Sequence, residues 1–81
     1  MTISLQAITR ENWERCVRLR VAPEQEHFVA SNAISLAQSK YEPEYLPLAV
    51  YDDNEMVGFV MYGQDRNDGK YWIVRVMVDH R

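Results

Sequence analysis

The chain has 81 residues, nine Lys and Arg against twelve Asp and Glu, and a formal net charge of −3. That acidity argues against a nucleic-acid partner, whose binders carry basic patches, and an apolar fraction of 47% argues against disorder. A chain of this length is one domain at most, with a core small enough to need close packing, a staple or a partner.

No staple is written into it. Cys16 is the single cysteine, so an internal disulfide is impossible, and no Cys/His spacing suits a metal, so none is expected. A lone thiol suits a reducing cytoplasm. Met1-Thr2-Ile3-Ser4 lacks the basic stretch and apolar block of a secretion signal. The apolar runs are a few residues long and are broken by Arg75 or glycines, far short of a membrane-crossing helix. A soluble cytoplasmic protein with no membrane partner is the expectation.

In chain order, residues 3–8 alternate apolar and polar side chains, Ile3, Leu5 and Ala7 against Ser4 and Gln6, the pattern of a half-buried strand. Thr9 offers a helix N-cap oxygen. Trp13, Cys16, Val17 and the aliphatic stem of Arg20 then recur at helical spacing over residues 10–20. Arg15, Arg18 and Arg20 cluster there beside Glu11 and Glu14, a mixed face that reads as solvated surface. Pro23 suits the first turn of a second helix. Glu24 and Glu26 follow where the helix dipole favours negative charge, and Phe28, Val29, Asn32 and Leu36 carry an apolar face to about Ser39. Residues 41–47, with two prolines, read as a connection.

The second half is written for strands. Residues 48–51 and 56–63 flank Asp52-Asp53-Asn54-Glu55 as a hairpin. A polar turn over residues 64–70, containing Asp68-Gly69, leads to a last strand over residues 71–78. Strict alternation puts Trp72, Val74, Val76 and Val78 on one face and Tyr71, Ile73, Arg75 and Met77 on the other. Both faces are largely apolar, so this strand expects cover on both sides, as in the interior of an α/β sheet. Two upstream helices can cover one side only.

This element order resembles the GNAT superfamily of acyl-CoA N-acyltransferases. So do Val57-Gly58-Phe59-Val60-Met61-Tyr62 in the hairpin and Arg75-Val76-Met77-Val78-Asp79 closing the last strand. Within it the chain looks most like the diamine or spermidine/spermine N-acetyltransferases, on Gln25, Phe28-Val29-Ala30, Asn32 and Ser35-Leu36-Ala37. The resemblance implies an α/β fold, the N-terminal half of a GNAT domain. Its order is β-α-α-β-β-β, with a mixed, mostly antiparallel sheet and two helices. It implies acetyl transfer from acetyl-CoA to a primary amine, a polyamine such as spermidine or spermine. It also implies a single incomplete domain over residues 1–81. In the family the last strand runs into a glycine-rich loop that binds pyrophosphate through backbone N–H groups, and here the chain stops at Asp79-His80-Arg81. The tyrosine that serves the family as general acid is expected beyond residue 81, so no catalytic residue is assigned, and the chain alone is expected to be inactive.

Carried over by position, the pantetheine arm of acetyl-CoA would lie along Val76, Met77 and Val78, adding to the strand edge as an extended ligand. Without that ligand the same three are ordinary strand residues. Glu24 and Glu26 are the carboxylates placed to hold cationic amines, or else simply favourable first-turn charges. Glu42 and Glu44 are weaker candidates in a Pro-bounded loop. Arg75 is either paired with a carboxylate or at the rim of the substrate cleft. Asn32 either ties its helix to a strand edge or faces the pocket. A short chain ending on a strand that is apolar on both sides implies a partner, a homodimer or a strand-exchanged oligomer. A non-catalytic half-domain that self-associates through its last strand is therefore the alternative function.

Overall fold

Two tight turns build the sheet. Asp53 and Asn54 connect paired residues Asp52 and Glu55, and Asp53 takes φ 54°, a left-handed conformation that a short polar side chain tolerates. The Asp53 N–H donates to the Thr2 carbonyl at 2.8 Å, and the Thr2 N–H donates to Asp53 Oδ1 at 3.1 Å, which carries the first strand's pairing into the turn. The second turn closes on Gly69 at φ 73°, with the Asp65 N–H donating to the Lys70 carbonyl and the Gly69 N–H to the Asp65 carbonyl.

The computed structural model describes residues 2–21 and 31–79. Their elements run β1 (Ile3–Ala7), α1 (Trp13–Arg18), α2 (Asn32–Tyr41), β2 (Tyr45–Asp52), β3 (Glu55–Gln64) and β4 (Tyr71–Val78). The strands lie side by side in chain order, each antiparallel to the next. This β-α-α-β-β-β topology, with two helices on a sheet, matches the N-terminal half of a GNAT fold, as expected.

The core lies between the helices and one sheet face. Cys16 of α1 and Leu19 at its C-terminal cap meet Ala49 of β2 and Met56, Phe59 and Met61 of β3, all buried. Ile8, Leu36, Tyr45, Tyr51 and Met77 close the margin. Burial pushes the Cys16 thiol up to about 11, because an ionised sulfur would have to shed its water there. Among the described residues nothing covers the opposite face. Register places Ile3, Leu5, Leu48, Val50, Val60, Val76 and Val78 on it together, and Leu5 is 59% and Val78 70% exposed. The half-burial expected of β1 is therefore not met: its apolar residues point to the uncovered side.

Other expectations shift for local reasons. Ser31 is extended (φ −65°, ψ 156°) and its hydroxyl accepts from the Ile34 N–H at 3.2 Å, so α2 starts at a serine cap and no helical face runs unbroken from Pro23 to Ser39. Residues 22–30, with Glu24, Gln25, Glu26, Phe28 and Val29, lie outside the described residues. Residues 41–47 hold the end of α2 and the start of β2, not a plain connection. Pro47 is tolerated because β1's pairing ends at Ala7↔Leu48, so Pro47 pairs with Met61 on one side and has no described strand on the other that would miss its N–H.

β4 also departs from expectation. Among the described residues it pairs on one side only, with β3, and so stands at the sheet edge. Its alternation breaks at Val74, an extra residue between the pairs Met61↔Arg75 and Tyr62↔Ile73. Such a bulge reverses the side-chain sense on either side of itself. Trp72 thus shares the helix-side face with Arg75 and Met77, while Tyr71 and Ile73 join Val76 and Val78 on the bare face.

Gly58 sits where β3 and β4 leave no room for a side chain. A Cβ built there would lie 2.7 Å from the Met77 carbonyl oxygen, a backbone atom that cannot swing aside. Gly58→Ala is expected to lower stability by about 1–3 kcal/mol through forced separation of the strands, read as a lower urea midpoint at unchanged slope.

Candidate functional site along the last strand

β4 is held in place at its C-terminal end. The Asp79 N–H donates to the carbonyl of Val57, the extra residue of a second bulge in β3, at 2.8 Å, and Asp79 Oδ1 accepts from the Arg20 N–H at 2.9 Å. The segment leaving α1 is thereby pinned to the end of β4. A second tie runs through Asn32, which is 4% exposed. Its Nδ2 donates to the Cys16 carbonyl at 2.9 Å and lies 3.7 Å from Met77 Sδ. Asn32 thus serves as a structural tie, as one expectation had it, but it joins α2 to the end of α1 and to a β4 side chain, not to a strand edge. A buried amide whose donors find partners adds specificity to the packing and avoids the cost of an orphaned polar group.

Three of the sequence-derived residues, Val76, Met77 and Val78, fall on the stretch so anchored. Val76 and Val78 point to the bare face, and Met77 is half-buried against the helices. Among the described residues no strand pairs with the outer edge of β4, so backbone donors and acceptors on that edge are open to an extended, amide-bearing ligand. Arg75, just before them, is half-buried on the helix side, and its Nη1 is buried with no hydrogen-bond partner. The carboxylate pairing considered for it is not made among the described residues. Glu24 and Glu26 lie outside the described residues, so they are not brought together with Arg75 here.

The N-terminal half of β4 forms a different environment. Past the bulge, Trp72, Ile73 and Val74 form one wall of an open groove of about 610 Å³. The α2–β2 connection and the turn before β4 supply the rest, with Glu42, Glu44, Tyr45, Gly63 and Asp65. The Tyr45 ring lies over Gly63, where a Cβ would strike it. Glu44 pairs with Arg66 at 2.9 Å, and Glu42 Oε2 accepts from Gln38 Nε2 at 2.9 Å. Three carboxylates against one guanidinium, beside two aromatic rings, make a concave site that favours a cation.

Sequence reasoning rated Glu42 and Glu44 the weaker candidates and did not single out Asp65, Tyr45 or Trp72. The polar turn and the proline-bounded connection meet only through the β2–β3 register, and plain alternation put Trp72 on the wrong face.

The comparisons bear on which chemistry this strand serves. No family model matches the chain. Over an alignment that covers all of it, the chain is 30% identical to the spermine/spermidine N(1)-acetyltransferase of Bacillus subtilis strain 168 and spans 57% of that protein. It is 29% identical, over 98% of its length, to a probable spermine N(1)-acetyltransferase of Bacillus subtilis subsp. natto strain BEST195, spanning 56% of it. The chain is a homologue of the spermine/spermidine N-acetyltransferases, a branch of the GNAT superfamily. It spans about half the length of the curated relatives it matches. In this GNAT homologue the family resemblance takes in both halves of β4, the open edge at residues 76–78 and the bulged segment that lines the groove.

Two measurements check the anchoring. Asn32→Ala should cost about 0.5–1.5 kcal/mol, since it removes a buried hydrogen bond and leaves the Cys16 carbonyl with the Leu19 N–H alone, seen as a lower midpoint in urea. The raised Cys16 pKa favours the folded state below the thiol's ordinary 9.0 and loses that advantage as pH climbs toward 11. Stability should therefore fall over that window, and more steeply than in Cys16→Ala, by denaturation at pH 8 and 10.5.

Proposed function

We propose that this chain is the acyl- and amine-docking portion of an acetyl-CoA-dependent N-acetyltransferase whose acceptor is a polyamine such as spermidine or spermine. The observation that carries this reading is the homology running the whole length of the chain to two proteins named for spermine acetylation. The open edge of β4 and the acidic groove beside it support it.

Acetyl-CoA would supply a thioester-activated acetyl group. The fit rests on the outer edge of β4, where Val76, Met77 and Val78 would hold the amide-bearing arm by strand-like hydrogen bonds. Arg75, with a buried Nη1 lacking a partner, would meet an oxygen of the bound ligand, so that its charge is answered. The three glycines all precede β4, so a glycine-rich phosphate loop after that strand is not within these 81 residues. The chain alone is accordingly proposed to hold acetyl-CoA weakly and to turn over negligibly.

On the acceptor side, Glu42, Glu44 and Asp65 supply negative charge, while Tyr45 and Trp72 supply apolar and π surface for the methylene runs and ammonium groups of a polyamine. Glu24 and Glu26 are proposed as further ammonium partners. A cytoplasmic setting goes with this reading and accords with the unpaired, buried thiol of Cys16. The second reading, a non-catalytic half-domain that self-associates through its last strand, draws on the exposure of β4, where Val76 and Ile73 are 61% and 69% exposed.

An NMR titration of the chain with spermidine tests the acceptor. Resonances of Tyr45, Gln64 and Trp72 should shift, Glu42→Gln should weaken the response, and salt near ~1 M should abolish most of it by screening. Groove resonances that stay put would overturn the polyamine assignment. With acetyl-CoA and spermidine together, thiol release should stay at the blank rate, and turnover above it would show that the chain needs no further polypeptide.

A further inference from the structure

The groove beside the first half of β4 already holds a cation of its own. Arg66, on the turn between β3 and β4, reaches the α2–β2 connection, where its Nη2 donates to Glu44 Oε1 at 2.9 Å. The two side chains differ in setting: Glu44 is 22% exposed and Arg66 82%. The carboxylate is thus part of the groove wall, and the guanidinium sits on it from the solvent side. Glu42 accepts from the Gln38 amide and Asp65 from the Asn67 N–H, both neutral donors. Among the described residues, Glu44 is therefore the one carboxylate of the lining that meets a cation.

The turn that carries Arg66 is built without its side chain. The Asp65 N–H donates to the Lys70 carbonyl, the Gly69 N–H to the Asp65 carbonyl, and Gln64 Nε2 to the Gly69 carbonyl. The Asp65 and Asp68 carboxylates accept from the Asn67 and Lys70 N–H groups. An ion pair with so exposed a partner adds little to stability, so this one can open while the turn keeps its shape. A free ammonium arriving at Glu44 meets a tethered rival, whose effective concentration is on the order of millimolar. Exchanging one cation for another there gains nothing by itself. A ligand with several ammonium groups gains in addition from Glu42 and Asp65, which Arg66 leaves to neutral donors.

We propose that Arg66 is a built-in competitor: it occupies the seat of one ligand ammonium on Glu44, and the need to displace it makes the groove favour polycations over monoamines. The inference rests on the polyamine reading above and adds a specificity device to the same site.

The test titrates the chain with spermidine and, separately, with n-butylamine, and reads dissociation constants from the Tyr45 and Gln64 resonances. Arg66→Gln should bind both amines about three- to fivefold more tightly, the factor that an exposed ion pair of ordinary strength corresponds to. In a Glu44→Gln background the same substitution should give no gain, because the contested seat is gone. Lys70→Gln removes a charge from the same turn without touching Glu44 and should change binding much less. In the unsubstituted chain, added spermidine should move the Arg66 Nε–H resonance toward its position in Glu44→Gln, a direct sign of displacement. Equal spermidine affinity with and without Arg66 overturns the competitor and leaves the polyamine reading standing. So does a gain that persists in the Glu44→Gln background, or one matched by Lys70→Gln, since either assigns the effect to long-range charge. A gain with butylamine, with no preference for spermidine over butylamine in any variant, keeps the displaceable Arg66 and overturns the preference for polycations together with the polyamine reading. Groove resonances that answer neither amine in any variant overturn both.

Discussion

Two short helices can seal one face of a four-stranded sheet and no more, and the rest of this structure follows from that constraint. Every buried apolar residue, Cys16, Leu19, Ala49, Met56, Phe59 and Met61, lies between the helix layer and the sheet. Among the described residues β3 contributes half of them, Met56, Phe59 and Met61, from its helix-facing positions. The two outer strands, β1 and β4, keep most of their aliphatic side chains in water. Placing Cys16 in so small a core makes its thiol part of the packing, a compact apolar filler whose ionisation the core resists.

The bulge at Val74 divides β4 into two working halves. Without it, Trp72 would stand on the bare face with Val76 and Val78. With it, the indole turns toward the side on which the α2–β2 connection delivers Glu42, Glu44 and Tyr45. The half beyond the bulge is fixed from three directions: pairing with β3, the Asn32 tie at Met77, and the Asp79 contacts to Val57 and Arg20. A backbone edge can act as a preorganised docking strip only if its own position is determined, since ordering it on binding would cost affinity. These anchors lie on the helix side and at the strand's end, which leaves the outer edge unobstructed.

Much of this was legible in the residues. β4 runs over residues 71–78, as its composition indicated, and the hairpin turn sits at Asp53-Asn54 because short polar residues tolerate the backbone there. What failed to be legible was set by tertiary context. Pro47 read as a strand breaker, yet it lies just past the last residue of β1, where β2 needs one pairing partner only. The helical face traced from Pro23 is interrupted because Ser31 caps the helix that follows, and a cap and a helix interior look alike when apolar spacing is preserved on both sides. Alternation in β4 was projected through a bulge that nothing in Trp72–Val78 announces. The groove brings together residues about twenty positions apart, so no local pattern could have signalled it. The open edge, in contrast, was deducible from the family resemblance, and Val76, Met77 and Val78 lie on it.

Charge along the helix side of β4 changes sign at the bulge, and that gradient bears on the acetyltransferase reading. Before it, carboxylates outnumber Arg66, the one guanidinium in the groove. After it, Arg75 presents a guanidinium whose Nη1 no group among the described residues answers. An unanswered, half-buried cation is costly to keep unless a ligand oxygen completes it, and an excess of carboxylate beside indole and phenol rings is suited to an ammonium. A strand that offers a cation-seeking end and an anion-seeking middle suits two ligands of opposite charge that meet on it. The polyamine and phosphate-bearing acyl carrier proposed above would make such a pair. A surface meant only for burial against another protein would have little use for the gradient.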